Sequence, residues 1–237
     1  MKTLIVLFFF SLSLVHATMS ARAIIQSTDR TIISSEIAGN IVYFPKEEGE
    51  HFSKGQILAK IDCSIYQAQK KKVNIQKNIA YQKMKKNEEL DALKAIGSFE
   101  VLISKEEYNK QVAELDIVSI NVKRCKIHAP FNGKVVSKKI NLYENVKAQQ
   151  ELLEIIGVSK LEAKVIIPAL WLQWLKKGDT FTLAIDETQT NIKATVKEIG
   201  AVVDPSSQMI SIRANLLKPY DGIIDGMSGT AKFNPKK

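Results

Sequence analysis

The fold is decided by a strand–turn–strand stretch near the middle of the chain, Ile127-His128-Ala129-Pro130-Phe131-Asn132-Gly133-Lys134-Val135-Val136. Glycine supplies the backbone conformations that tight turns need, and β-branched residues favour strands. An earlier stretch has the same order of features, Ile37-Ala38-Gly39-Asn40-Ile41, then turns at Gly49 and Gly55, then Ile57-Leu58-Ala59-Lys60-Ile61. The chain therefore contains two similar β units, residues 34–62 and 125–157, and two such halves pairing antiparallel predict a flattened barrel.

The segment between the two units, residues 63–124, has a different character. It contains no proline and one glycine, Gly97, and it is rich in Lys, Gln, Glu, Asn and Ala, a composition that favours helix. We expect Gly97 to end one helix. Ser104 followed by Glu107 is a capping box, which predicts that a second helix begins at Ser104. The result is an exposed antiparallel hairpin with unequal arms of about 33 and about 20 residues, or roughly 50 Å and 30 Å at helical rise. A break near Asn87, with a short extra helix at the tip, is expected to reconcile them.

Approximate coiled-coil spacing indicates which side of each arm faces the other. On the second arm it predicts a seam of Tyr108, Val112, Leu115 and Val122. On the first arm it predicts Ile65, Ala68, Ile75, Ile79, Leu93 and Ile96. This first seam is interrupted by polar residues, among them Lys72, Gln82, Lys86 and Glu89.

The rest of the chain predicts a small β-barrel, because several short alternating strands are separated by turn signals. Residues 158–237 supply most of its strands, with one short helix over 168–177, and residues 18–33 add N-terminal strands. The predicted fold class is mainly β with an inserted α-helical hairpin.

The N-terminus has the features of a secretory signal peptide. Lys2 precedes an apolar run from Leu4 to Val15, and Ala17 is a small residue suited to cleavage. The run is short for a membrane span, although an uncleaved anchor helix is the alternative. We therefore expect residues 1–17 to direct export to the periplasm.

The net charge of +9 suits nucleic acid, an anionic surface or an acidic protein partner. Export argues against nucleic acid, so no nucleic-acid partner is expected. Catalytic, cofactor and metal sites are not expected either. No nucleophile or phosphate-loop motif is present, and His51 and His128 lack acidic or Cys neighbours at ligand spacing.

The order of these parts resembles the periplasmic adaptor, or membrane fusion, proteins of tripartite RND-type efflux pumps. The resemblance covers nearly the whole chain after residue 17. It depends mainly on three stretches: 38–41, 49–62 and 127–135. It implies that the flattened barrel is lipoyl-like and split by the hairpin, and that Gly39, Gly49, Gly55, Pro130 and Gly133 are its structural turn residues. A helical insert fills the place where carrier domains present a modified Lys, so a carrier role is a weaker alternative.

The resemblance also implies partners. They are an inner-membrane transporter, an outer-membrane channel reached by the hairpin tip, and other copies of the chain, commonly in six-membered rings. The expected cargo is drugs or other small molecules, and an adaptor of an ATP-driven exporter is the alternative. The expected tip contacts are Ile96, Gly97, Phe99, Leu102 and Ser104. The family often carries Arg ahead of this Leu and Ser; here Asp91 or Glu89 lies near that place.

The two cysteines, Cys63 and Cys125, flank the helical segment. With the implied fold, both lie at the hairpin base on neighbouring strands. Because an exported protein meets an oxidising compartment, we expect them to form a disulfide; two separate buried thiols are the alternative.

Overall fold

The computed structural model describes residues 19–217 and 222–234; the predicted signal peptide lies outside them. The helices are α1 (Ser64–Ala92) and α2 (Ser98–Arg124), and one 3₁₀ turn spans Ala169–Gln173. The strands are β1 (Met19–Ser27), β2 (Arg30–Ser34), β3 (Gly39–Tyr43), β4 (His51–Phe52), β5 (Ile57–Ile61), β6 (Lys126–His128), β7 (Gly133–Lys138), β8 (Asn145–Val146), β9 (Glu151–Gly157), β10 (Leu161–Pro168), β11 (Thr180–Ile185), β12 (Asn191–Ile199), β13 (Met209–Leu216) and β14 (Ser228–Phe233).

The chain divides into two compact units. The first contains the described residues before Asp29 and after Lys160, and the second is Asp29–Lys160. No helix within the described parts is long and apolar enough to cross a membrane.

The first unit is a closed barrel with strand order β1-β10-β13-β12-β11-β14, which confirms the predicted barrel. The N-terminal strand β1 closes it by pairing antiparallel with both β10 and β14. Alternate residues of each strand point inward, so that Ile25, Val165, Leu183 and Phe233 are among its buried core residues.

The second N-terminal strand does not belong to this barrel. The prediction that residues 18–33 contribute barrel strands holds for β1 and is wrong for β2, which pairs with β9 in the second unit. Gly157 donates its N–H to the Asp29 carbonyl at 2.6 Å. The polar stretch after β1 therefore carries the chain from one unit to the other instead of closing a hairpin.

The second unit contains two four-stranded sheets, β2-β9-β7-β4 and β6-β5-β3-β8. Fully buried apolar side chains fill the space between them, including Ile41, Leu58, Leu152 and Ile155. The two short strands are exchanged between the halves: β4 of the first half pairs with β7, and β8 of the second half pairs with β3. This exchange makes one lipoyl-like flattened barrel out of two incomplete halves.

The turns of the two halves repeat each other closely. Gly49 and Tyr143 occupy equivalent positions with φ of 84° and 68°, and Gly55 and Gln149 do so with φ of 81° and 66°. Glycine occupies this left-handed region without the steric cost that a Cβ brings. Glycines in the sequence therefore reveal the turns of the first half. The second half forms the same turns with Tyr143 and Gln149, which do not identify a turn in the sequence.

Side-chain hydrogen bonds repeat as well. The Gln56 Oε1 atom accepts a hydrogen bond from the Ser53 N–H at 3.0 Å. At the equivalent place the Gln150 Oε1 atom accepts one from the Lys147 N–H at 2.9 Å. The two halves therefore repeat the hydrogen bonds of their turns as well as their sequence pattern.

Two of the predicted glycines are required by close approach. A Cβ on Gly39 meets the Ile61 side chain at 2.6 Å, and a Cβ on Gly133 meets both the Ile156 carbonyl oxygen and, at 2.8 Å, the Phe52 ring. Pro130 lies exposed in the turn between β6 and β7.

The arms of the hairpin are nearly equal, with 29 residues in α1 and 27 in α2, so the predicted unequal arms are wrong. Helix α1 is continuous through Asn87, so the predicted break is also wrong. The stop is Lys94, at φ 54°, where the Lys94 N–H donates to the Asp91 carbonyl oxygen at 2.7 Å. This left-handed residue closes the last turn of the helix in the place where glycine is usual.

Helix α2 begins at Ser98, six residues before the predicted start. Gly97, the predicted helix stop, is the residue that precedes α2. Ser104 lies inside the helix, where its hydroxyl donates to the Val101 carbonyl oxygen at 2.8 Å. A serine can satisfy its hydroxyl in this way within a helix, so the capping-box pattern was misleading here.

The hairpin emerges from two paired strands. β5 runs into α1, α2 runs into β6, and β5 and β6 pair antiparallel. Cys63 and Cys125 form a disulfide directly above this pair, with a Cα–Cα distance of 5.7 Å.

Polar contacts add to the disulfide at the root of the hairpin. The Ser64 N–H donates to Asp62 Oδ1 at 3.0 Å, and this bond holds the pKa of Asp62 below its ordinary value. The Tyr66 hydroxyl donates to the Ala38 carbonyl oxygen at 2.9 Å, and Arg124 Nε lies 2.6 Å from Glu36 Oε2. Both helices are therefore tied to the β unit beneath them.

Replacing Gly133 by Ala is expected to destabilise the second unit, because the added methyl group collides with backbone of β9 as well as with Phe52. We expect a loss of about 2–4 kcal/mol in the free energy of unfolding, as for other overpacked or strained sites. Urea denaturation followed by circular dichroism measures it. The control is Val136→Thr, a shape-conserving change on the same strand; an equal loss in both variants contradicts the close-approach argument.

Removing the disulfide by Cys63→Ser together with Cys125→Ser is expected to lower the free energy of unfolding by about 4 kcal/mol, because the bond closes a loop of roughly 60 residues in the unfolded chain. Denaturation of the wild type with and without reductant provides the matched comparison. If the oxidised and reduced chains have the same free energy of unfolding, the disulfide does not stabilise the fold.

Candidate functional site

The hairpin is the candidate interaction site, and its inner seam mixes small, polar and larger apolar residues. The buried side chains between the helices are Val73, Ala80 and Met84 of α1 and Ser104 and Val118 of α2. Half-buried residues complete the seam at spacings of three and four, namely Lys77, Asn87 and Asp91 on α1 and Val101, Tyr108, Gln111, Leu115 and Val122 on α2.

The predicted seam of α2 is largely found, since Tyr108, Val112, Leu115 and Val122 are at least half-buried. The predicted seam of α1 is wrong. Ile75 is 51 % exposed and Ile79 is 64 % exposed, while their smaller neighbours Val73 and Ala80 face α2. Close approach of the two helices favours Val73 and Ala80 between them, so the isoleucines of α1 are not the residues that are buried.

The isoleucines of α1 instead form part of a second face. We call it the outer stripe: Ile65, Ala68, Lys72, Ile75 and Ile79 of α1, with Lys110, Ala113, Ile117 and Ile120 of α2. All of these residues are exposed, and they follow one another at alternating steps of three and four, as in a coiled coil. On each helix these positions lie on the side that faces away from the inner seam. Of the outer stripe, Lys72 and Lys110 also reach the shallow groove between the helices.

The α2 half of the outer stripe was missed at the sequence level. Its signal is a second heptad series, which contains Ala113, Ile117 and Ile120 and lies on the opposite side of α2 from the seam. Two overlapping series on one helix indicate that the helix has two contact faces.

Charge is unevenly distributed along α1. From Ser64 to Lys86 the helix carries seven lysines and no acidic residue. We call this part the basic shaft. Glu88, Glu89 and Asp91 follow directly after it. On α2, acidic and basic residues alternate, and the pKa of Glu107 is lowered by the hydrogen bond from Gln111 and by nearby Lys110.

The tip of the hairpin carries an exposed apolar cluster. Leu93 is 76 % exposed and Phe99 is 67 % exposed, and Leu102 and Ile103 are exposed beside them. We call these four residues the tip patch. Among the predicted tip contacts, Phe99, Leu102 and Gly97 are exposed and Ile96 is half-buried. Ser104 is 2 % exposed and faces α1, so the prediction that it contacts a partner is wrong.

Within residues 19–217 and 222–234, no group of three or more His, Cys, Asp or Glu could hold a metal ion. His128 Nδ1 lies 2.8 Å from the Gly55 carbonyl oxygen, to which it donates a hydrogen bond, so this ring stabilises a turn.

The sequence matches the family described as CzcB-like, barrel-sandwich hybrid domain, over residues 29–156, which is more than half of the chain. The chain is 23 % identical over 233 residues to the multidrug resistance protein MdtA of Xenorhabdus bovienii, covering 90 % of this chain and 52 % of that protein. It is 21 % identical over 199 residues to the cobalt-zinc-cadmium resistance protein CzcB of Cupriavidus metallidurans, covering 77 % and 38 %. The chain thus spans about half or less of these curated relatives.

A solved structure shows the same fold. It is a MacA–MexA chimera containing the α-hairpin domain of Pseudomonas aeruginosa MexA, with a TM-score of 0.81 and 18 % identity, and the match covers 92 % of this chain and 82 % of that one. At this identity the likeness concerns the fold. The chain belongs to the CzcB-like barrel-sandwich hybrid family, a family of membrane fusion, or periplasmic adaptor, proteins that act as non-enzymatic subunits of efflux pumps.

Proposed function

We propose that this chain is the periplasmic adaptor subunit of an RND-type efflux pump, in which it links an inner-membrane transporter to an outer-membrane channel. Copies of the chain pack side by side around the export path through their hairpins. The mechanism is multiple simultaneous contact that aligns and seals a duct, with no bond made or broken. The proposed cargo is drugs or other small molecules, because the match to the multidrug resistance protein covers more of both chains than the match to the metal resistance protein does.

The observation that carries this proposal is the outer stripe. Burying an isoleucine side chain fully is worth about 1.5–3 kcal/mol, so a row of exposed isoleucines leaves a large stabilisation unused in the single chain. Contiguous exposed apolar surface at regular spacing is typical of a protein–protein contact. Because the outer stripe has heptad spacing, the partner that fits it best is another helix.

Charge favours α1 of one copy against α2 of the next. The basic shaft repels a second basic shaft, whereas α2 presents Glu106, Glu114 and Asp116 among its lysines. Such a contact joins two different surfaces, and repetition of a contact of this kind closes into a ring when the rotation allows.

Replacing Ile75 and Ile79 by Gln removes apolar area from the outer stripe while leaving the inner seam intact. We expect self-association of the chain from Thr18 onward to weaken about 30- to 100-fold. Two isoleucines that become half-buried in each contact contribute roughly 2–3 kcal/mol to the free energy of association. Sedimentation equilibrium measures it.

The matched control is Asn74→Gln with Asn78→Gln, which changes two exposed positions of the same helix outside the outer stripe. Circular dichroism verifies that both variants keep their helices. If the isoleucine variant associates as strongly as the control, the outer stripe is not the contact between copies.

A further inference from the structure

The tip patch lies at the free end of the hairpin, where a turn joins α1 to α2. Its four side chains come from the turn after α1 and the first two turns of α2. All four side chains are more than half exposed. An exposed apolar cluster of this kind is typical of a binding surface when a rim of polar groups surrounds it.

The rim of the tip patch is acidic. Between Asn87 and Ser104 the chain has four acidic side chains, Glu88, Glu89, Asp91 and Glu100, and one basic side chain, Lys94. Asp91 belongs to the inner seam, so the rim is formed by Glu88, Glu89 and Glu100. This reverses the sign of the basic shaft, which ends at Lys86. The hairpin therefore presents two chemically different surfaces along its length.

Internal pairs neutralise this rim only in part. Lys85 Nζ lies 3.1 Å from Glu88 Oε2, and Lys86 Nζ lies 3.5 Å from Glu89 Oε2. Both pairs are exposed, and such pairs hold their partners weakly in salt solution. Glu88 and Glu89 can therefore give up these lysines and pair with a Lys or Arg of a binding partner at little cost in free energy.

Glu100 lies exposed at the tip of the hairpin. It lies in the first turn of α2, and its carboxylate oxygen is 2.9 Å from the place that a Cβ on Gly97 would occupy. A carboxylate near a helix N-terminus is favourable because the N-terminal end of the helix dipole is positive. The absence of a side chain at Gly97 leaves room for this carboxylate beside Phe99.

We propose that the tip binds a protein partner whose contact surface is an apolar groove edged by Lys or Arg side chains. The inference rests on the proposed adaptor function and adds the chemistry of the partner that the hairpin tip selects. The tip patch supplies the apolar contact. The acidic rim makes binding specific for a basic partner and raises the association rate constant, because complementary charge acts mainly on specificity and association rate.

The experiment places a photo-crosslinking amino acid at Phe99 in the full chain in cells and identifies the crosslinked peptide by mass spectrometry. The test variant adds Glu89→Lys and Glu100→Lys. The matched control adds Glu50→Lys and Glu151→Lys, which make the same change in charge at exposed positions outside the hairpin.

We expect the crosslinked segment to contain Lys or Arg beside apolar residues. Crosslinking is expected to fall about tenfold in the tip variant and to stay within about twofold in the control. Replacing a Lys or Arg of the crosslinked segment by Glu is expected to restore the crosslink to the tip variant, which a general loss of folding cannot explain.

Three results overturn the proposal: a crosslinked segment without basic residues, a crosslink that is insensitive to the charge reversal, and crosslinks only to other copies of this chain. The last result means that the tip docks on the basic shaft of a neighbour. A parallel crosslinker at Ile79 reports contact between copies, so the absence of a Phe99 crosslink in an assembled protein overturns this proposal without touching the proposed function.

Discussion

Pairing of β5 with β6 is the constraint on which the hairpin depends. These strands belong to the two different halves of the flattened barrel, and each continues into one helix, so the barrel cannot close without bringing the helix roots together. The Cys63–Cys125 disulfide covers the same point. The repeated turns of the two halves therefore serve the hairpin: they hold two strands side by side, and those strands set where the helices begin.

Beyond this root, α1 has two distinct faces: the inner seam, which contacts α2, and the exposed outer stripe. Several residues that face α2 are small or polar, such as Ala80 and Lys77, whereas the isoleucines of the shaft point away from the inner seam. A hairpin designed to be stable alone buries its isoleucines between its arms. This one is held at its root and leaves its isoleucines exposed, as the proposed packing against the helix of a neighbouring copy requires.

Much of the β structure could be predicted from the sequence, because glycine marks the turns of the first half and alternation marks the barrel strands. The second half was recognised by Gly133, while its other turns rely on Tyr143 and Gln149, whose positive φ no composition reveals. The boundary between units was misplaced at β2, because a strand pattern does not say which sheet the strand joins.

The helices were harder to predict for a physical reason. Hydrophobicity alone assigns Ile75 and Ile79 to the inner seam, yet two helices in close contact favoured Val73 and Ala80. Ser104 with Glu107 has the pattern of a helix start but lies within α2, because the helix already begins at Ser98. The outer stripe was therefore visible in the sequence as apolar residues and could not be assigned to a face without the structure.

The central claim, that the hairpin completes its packing through the outer stripe, is tested most directly by scanning a photo-crosslinking amino acid through every position from Ser64 to Lys86 in cells. The account predicts that the yield of crosslinks between copies oscillates with a period near 3.5 residues, with maxima at Ile65, Lys72 and Ile79 and minima near Asn74 and Tyr81. A yield that is uniform along the helix, or that peaks on the opposite side at Asn74 and Tyr81, contradicts it.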